Sequence, residues 1–401
     1  MVNFRGVKPG VCLFQKQYAR AVLLGIAVTC AILVTSTQSA VADVTPPGVV
    51  IAHSFARTGV YLGSPAIAIL PDGAYVVAHD TFGPGSRQNT ESLYESRDEG
   101  RSWKKLVDVN GQYWSSLFVD HGLLYIVGTS GFSGLPCIRR SADGGRSWSV
   151  PRDIGTGMLS NEGKYFSAAV PVVVGNGRIW RSMESVEPTG IWSFMMSAPI
   201  DSNLLDGRNW KFTNRLRPNA EWLNGRFRGW LEGNAVVTSH DAVVNVLRVY
   251  FNDLPEKVAL VSVSPDGTKA TFDPESGFAD MPGGGKKFTI RFDSRSGLYW
   301  SLTNSVDAGY GGSNYERARN TLALVASRDL RNWSIRRVVL HHNDWSNHGF
   351  QYADWQFDGN DIVAVVRTSF DDGDAGAHSQ HDSNYITFNR IANFRDIGIE
   401  N

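Results

Sequence analysis

Ser96-Arg97-Asp98-Glu99-Gly100-Arg101-Ser102-Trp103 and Ser141-Ala142-Asp143-Gly144-Gly145-Arg146-Ser147-Trp148 obey a single pattern, Ser-x-Asp-x-Gly-x-Ser-Trp. Each position has a job in a tight turn. The Asp carboxylate accepts from turn amides, the Gly takes a backbone conformation with positive φ, and the Trp drives a large apolar surface into the neighbouring layer. Degenerate copies follow at Ser264-Pro265-Asp266-Gly267-Thr268, closed by Phe272, and at Ser327-Arg328-Asp329-Leu330-Arg331-Asn332-Trp333. A looser copy runs from Asp201 to Trp210. The closing aromatics at 103, 148, 210, 272 and 333 recur every 45–62 residues. A unit of that length, built from several short strands, predicts an all-β chain folded as a β-propeller.

Short alternating or β-branched runs fill the intervals, and no stretch keeps helical periodicity over three turns. Turn signals such as Pro71-Asp72-Gly73, Gly175-Asn176-Gly177 and Asp358-Gly359-Asn360 separate paired runs. Grouped with the octads, the runs make six blades, with seven the alternative count. One run near 49–54 is left over at the start. It is expected to pair into the last blade and fasten the ring, which removes exposed edges.

Residues 1–42 stand outside this pattern. Arg5, Lys8, Lys16 and Arg20 precede an apolar run from Ala21 to Val34, and Ala40-Val41-Ala42 closes the segment. That order of basic, apolar and small residues reads as a secretory signal peptide. A membrane anchor is the alternative, although the run is shorter than the ~20 residues a spanning helix needs. Residues 43–401 are then one propeller domain, secreted or periplasmic. Cys12 and Cys30 leave with the leader, so Cys137 has no disulfide partner and packing alone holds the fold. The 39 basic and 39 acidic residues balance, which gives no reason to expect nucleic acid or an anionic membrane surface as partner. A monomer is expected.

If the octads join the third and fourth strands of each blade, the opposite rim is made by second-strand ends and the loops entering each blade. Polar residues expected there include His79, Tyr165, Arg181, Glu232, Asn234, Arg248, Arg319, His348, Tyr352 and Arg367. Arg181, Arg248 and Arg367 fall at equivalent places in three blades. Their convergence is unfavourable unless an anion offsets it, and Arg forks match carboxylates, so an acidic sugar is the expected ligand. In the other reading each Arg braces the channel against a local carboxylate such as Glu184 or Asp354. His79 is a candidate base or acid, or a histidine bonded to its own loop. Tyr165 is a candidate acid, or a ring that stacks. The group Asp371, Asp372, Asp374, His378 and His381 has irregular spacing and reads as a solvated loop, so neither metal nor cofactor is expected. Asp80, Glu184, Glu232 and Asp354 are carboxylates available for hydrolysis.

The octads resemble the Asp-box, or BNR repeat, of the sialidase superfamily, which implies a propeller with the boxes on outer turns away from catalysis. The Arg-Ile-Pro of sialidases is absent, and their nucleophilic Tyr and its Glu partner match no motif here. Segments including Ala78-His79-Asp80-Thr81-Phe82-Gly83, Gly229-Trp230-Leu231-Glu232-Gly233-Asn234 and His348-Gly349-Phe350-Gln351-Tyr352 look closer to a subgroup of secreted propellers. That subgroup resembles rhamnosyl-glucuronate lyases, rhamnosidases and ulvan lyases. The resemblance implies cleavage beside a uronate, by elimination or hydrolysis, with His79 and Tyr165 handling protons and Arg181 neutralising the carboxylate. An exo-α-sialidase and a binding-only propeller for acidic glycans are the alternatives. The partner expected in every case is an acidic oligo- or polysaccharide.

Overall fold

Six antiparallel sheets follow one another along residues 45–397, the part of the chain that the computed structural model describes. The expected signal peptide lies outside the described residues. Blade one comprises Tyr61–Leu62 with Ala66–Ile69, then Tyr75–Phe82, Thr90–Ser96 and Lys104–Asn110. Blade two has Tyr113–Asp120, Leu123–Thr129 and Pro136–Ser141, with Met158 bridging Cys137 where a fourth strand would lie. Blade three has Tyr165–Phe166 with Val172–Gly175, then Arg178–Glu187, Gly190–Pro199 and Lys211–Phe212. Blade four runs Gly229–Val237, Val243–Tyr250, Lys257–Val263 and Ala270–Thr271, and blade five Thr289–Asp293, Leu298–Thr303, Thr321–Ser327 and Trp333–His341. Blade six has Gly349–Asp358, Asp361–Ser369 and Tyr385–Ile391.

The fourth strand of blade six is Val49–His53, which pairs Val49 with Phe388 and His53 with Tyr385. The leftover N-terminal run therefore closes the ring, as its sequence position required. First strands of successive blades pack side by side, and that of blade six returns to that of blade one. Six blades, not seven, complete the circle.

The same closure explains why five octad-like turns serve six blades. Each follows the third strand of its blade and leads to the fourth, or in blade two to the Met158 bridge, and in blade six the third and fourth strands come from opposite ends of the chain. In the first octad Ser102 N and Ser102 Oγ donate to the Asp98 carboxylate at 2.9 and 2.6 Å, and Trp103 Nε1 donates to Gly100 O at 3.1 Å. The second octad repeats these bonds at 2.9, 2.6 and 3.0 Å. Gly100 has φ of 88°, and a Cβ there would strike the Phe388 ring. The looser copy keeps the place but not the bonds: Asp206 caps a 3-10 turn instead, and Trp210 donates to Leu204 O.

One apolar cluster sits between every successive pair of blades, from Val76 against Leu117 round to Val365 against Val77. Trp180, Trp230, Trp300 and Trp355 are buried completely. Distributing the core in this way lets a chain this long avoid one oversized apolar centre.

Candidate active site

Three first strands carry the same irregularity. The ladders of blades two, four and six slip between Tyr113 and Ser116, Leu231 and Asn234, and Gln351 and Asp354. At each slip a residue takes positive φ: Trp114 at 49°, Glu232 at 53° and Tyr352 at 54°. For a residue with a side chain this costs ~1–2 kcal/mol, and such bulges re-aim side chains beside functional sites. A small residue follows each one, Ser115, Gly233 and Ala353. A buried side chain from the preceding blade anchors each turn. Ser115 N donates to Glu91 Oε1 at 3.0 Å, Gly233 N donates to Glu184 Oε1 at 3.2 Å, and Lys287 Nζ donates to Ala353 O at 2.8 Å.

Trp114, Glu232 and Tyr352 all line one cavity of about 250 Å³ on the rim opposite the octads. Tyr352 OH donates to Glu232 Oε1 at 2.6 Å, and Arg248 Nη1 pairs with Glu232 Oε2 at 2.7 Å. Arg367 and Arg319 lie 4.7 and 5.7 Å from the centre of the Tyr352 ring. Both are buried, at 3% and 4% exposure. Arg319 Nη1 donates to Gln351 Oε1 at 2.6 Å, and Arg367 Nη2 donates to His381 O. Among the described residues neither forms an ion pair, and each keeps a buried Nε without an acceptor. Burial, opposed by the Tyr352 oxygen, lowers Arg319 to about 10. Burial and Glu232 raise the Tyr352 phenol above the usual range against the pull of Arg248, Arg319 and Arg367.

Asp80 forms another wall. Ser64 N donates to its Oδ1 at 2.9 Å and Trp114 N to its Oδ2 at 3.3 Å. Burial pushes its carboxyl up to about 6, with the two amides and Arg367 pulling the other way. Gly63 makes room for it, since a Cβ there would come within 1.6 Å of Asp80 Oδ1. Trp114 packs on Phe166 and Phe132 at 4.4 and 5.1 Å between ring centroids, and Phe132 stands 58% exposed at the mouth. His381 also faces the cavity, bonded to Asp382 at 2.8 Å, and burial lowers it to about 3.

Of the residues expected at this rim, Glu232, Arg248, Arg319, Tyr352 and Arg367 come together. His79 does not: it alternates with Asp80 along the strand, stacks on Tyr94 at 5.6 Å and bonds the Asp80 carbonyl at 2.9 Å. Burial lowers its imidazole to about 4. Tyr165 turns away as well, its OH accepting from Arg215 at 3.1 Å, while the adjacent Phe166 lines the cavity. Arg181 is fully buried between blades two and three, where Nη2 donates to Trp114 O at 3.1 Å and Ala168 O at 3.0 Å. The three converging arginines are therefore Arg248, Arg319 and Arg367, because Arg181 spends its donors on backbone carbonyls. Asn234 ties blade four to blade five through Phe288 O and Ile290 N. His348 stacks on His342 at 3.6 Å and bonds Asp344, off the cavity. Among the described residues no group of three His, Cys, Asp or Glu is placed to hold a metal ion. Trp114 and Phe166 were not singled out by sequence, and His381, expected in a solvated loop, lines the cavity instead. A bulky or charged residue followed by Ser, Gly or Ala at the start of alternate blades is the signal that marks Trp114.

No family model and no curated protein matches the sequence. Solved structures do match the fold. An α-L-arabinanase of Penicillium chrysogenum in complex with arabinobiose aligns with a TM-score of 0.56 at 12% identity, covering 87% of this chain and 98% of that one. The α-L-arabinofuranosidase Arb93A of Fusarium graminearum aligns at 0.54 and 12% identity over 86% of this chain and 98% of that one. The Trypanosoma rangeli sialidase aligns at 0.53 and 14% identity, covering 84% of this chain and 55% of that one. The chain shares its fold with glycoside hydrolases. The likeness supports the fold of a sialidase-like propeller, and the lyase and rhamnosidase subgroup gains no support from it.

Proposed function

We propose that this protein is an exported glycoside hydrolase that cleaves beside a carboxylate-bearing sugar, with Tyr352 as nucleophile, Glu232 as its base and Asp80 as acid and then base. The observation that carries this reading is the 2.6 Å bond from Tyr352 OH to Glu232, set beside two buried arginines that have no carboxylate of their own. Arg319 and Arg367 supply the charge and the free N–H groups that a substrate carboxylate would satisfy. A neutral phenol suits an anionic substrate, because a bare carboxylate nucleophile would be repelled by it. Glu232 takes the phenol proton as the oxygen attacks the anomeric carbon. Asp80 gives its proton to the departing oxygen, which leaves with the electrons of the glycosidic bond. Water then displaces the phenolate, losing a proton to Asp80 as Tyr352 recovers its own from Glu232.

Hydrolysis is favoured over elimination because His79 and Tyr165, the expected proton carriers for a lyase, face away from the cavity. The test is turnover of chromogenic sialosides and uronides against a neutral arabinoside. The acidic glycosides should be hydrolysed, and Tyr352→Phe should lower kcat by about 10²–10⁴. An unsaturated product absorbing in the ultraviolet, preference for the neutral arabinoside, or binding without turnover would each overturn the proposal.

A further inference from the structure

Blade two puts an aromatic surface into the cavity at the place where blades four and six put Glu232 and Tyr352. Trp114 has the same positive φ as those two residues, 49° against 53° and 54°. Strain of this kind clusters at functional sites, and here it aims an indole at the cavity instead of a titrating group. Phe166 of blade three and Phe132 of blade two both pack on that indole, at 4.4 and 5.1 Å between centroids.

An exposed phenylalanine by itself is ordinary. Phe132 differs because it continues a surface that begins inside the cavity, and because its loop is fixed. Phe132 N donates to Gln88 O at 2.8 Å, Ser130 N donates to Leu135 O at 2.8 Å, and Thr129 Oγ1 donates to Gly131 O at 3.0 Å. A ring held in place before its ligand arrives lowers the ordering cost of binding. Polar groups accompany the rings. Trp180, Trp300 and Trp355 each donate the indole N–H to a protein acceptor. Among the described residues Trp114 Nε1 and the Gln88 side-chain amide have no protein partner, and Gln88 lines the same cavity.

Round the ring, Arg319 belongs to blade five, Tyr352 and Arg367 to blade six, Asp80 to blade one, and Trp114 with Phe132 to blade two. Asp80 therefore stands between the charged wall and the aromatic one, and Trp114 N donates to its Oδ2 at 3.3 Å. A proton donor must reach the departing oxygen. With the carboxylate-bearing sugar against Arg319 and Arg367, the group that leaves past Asp80 lies over blade two. The cavity, at about 250 Å³, is smaller than the ~300–1,000 Å³ of pockets that enclose a whole drug-sized ligand, so a second ring rests at the mouth, against Phe132.

We propose that Trp114, Phe132 and Gln88 form a leaving-group subsite that takes a sugar ring, its C–H face on the aromatic rings and its hydroxyls toward Trp114 Nε1 and the Gln88 amide. An aryl or alkyl leaving group would cover those polar groups without pairing them, which is unfavourable. The preferred substrate is then at least a disaccharide. The proposal rests on Asp80 as the acid, because that assignment says which sugar departs.

The test uses sialic acid and glucuronic acid, each as its disaccharide with galactose and as its glycosyl fluoride, whose leaving group is too small to reach Phe132. Phe132→Ala, a surface change, should lower the ratio of kcat/KM for disaccharide to that for fluoride by about 10-fold. An unmoved ratio overturns the subsite, since a ring that only covers Trp114 would affect both substrates alike. Calorimetry on Tyr352→Phe measures binding without turnover. There the disaccharide should bind about 10-fold more tightly than the free acidic monosaccharide, and adding Phe132→Ala should remove the difference. Equal affinities overturn the subsite, and tighter binding of the benzyl glycoside than of the disaccharide overturns the choice of a sugar. If the wild type hydrolyses neither acidic disaccharide while the Phe132-dependent preference persists, the hydrolase reading falls and the subsite stands.

Discussion

The octad rim and the cavity rim both depend on carboxylates, and they use them in opposite ways. Asp98, Asp143 and Asp266 stand in the open, bonded chiefly to the hydroxyls of Ser102, Ser147 and Ser264, and each is held down to about 2. Their partners lie within four residues in the chain. Asp80 and Glu184 are buried, and burial raises them to about 6 and about 8. Their amide partners lie 16, 34 and 49 residues away, on other strands or blades. A turn that satisfies its own carboxylate forms wherever its eight residues occur. A cavity that holds carboxyls out of water exists only when the ring has closed.

Three experiments bear on that contrast. The largest effect is expected at the cavity. Arg367→Ala or Arg319→Ala removes a charge-assisted partner worth about 1.5–3 kcal/mol, so kcat/KM for an acidic glycoside should fall by roughly 10- to 100-fold. Neutral glycosides should be little affected. An equal loss on both would mean that these guanidiniums brace the rim and do not read charge.

Glu184→Gln should show the reversed sign of the buried carboxyls. The folded-state value of about 8 lies above the ordinary 4.5, so stability is lost as pH rises from the ordinary value through the folded one. The variant should therefore melt several degrees higher than wild type at alkaline pH and about the same below pH ~4. A shift that ignores pH would refer the effect to packing. Asp143→Asn should give the smaller, opposite pattern. Its folded value near 2 lies below the ordinary 3.8, so the contribution is present above the ordinary value and disappears as pH falls toward 2. A drop of a few degrees in Tm at neutral pH, fading in acid and leaving kcat untouched, is expected. Any change in kcat would break the separation of the two rims.

Sequence reading found the octads, the six blades and the closing strand because each depends on neighbours along the chain. It expected converging polar residues on the rim opposite the octads, where the cavity of Trp114, Glu232 and Tyr352 lies, and was defeated by alternation along strands. His79 stands where Asp80 faces the cavity, and Tyr165 where Phe166 does. A one-residue change of phase moves a side chain to the other face, and both faces of these inner strands are buried, so no polar pattern marks which one is which. Arg181 failed for a related reason. A guanidinium on an inner strand serves a ligand or backbone carbonyls equally well, and the carbonyls of Trp114 and Ala168 were close enough to take it.

The amino-acid order alone pointed to the propeller, because its repeated turn is stabilised by contacts inside eight residues, while six blades against seven was decided by the folded ring. What only the folded ring decided was which side chains meet. Glu232 and Tyr352 are 120 residues apart, and backbone bulges in two separate blades bring them to 2.6 Å. The physical reason is range: a turn hydrogen bond is chosen locally, whereas a shared cavity follows from closing the ring of six sheets, which no single segment encodes.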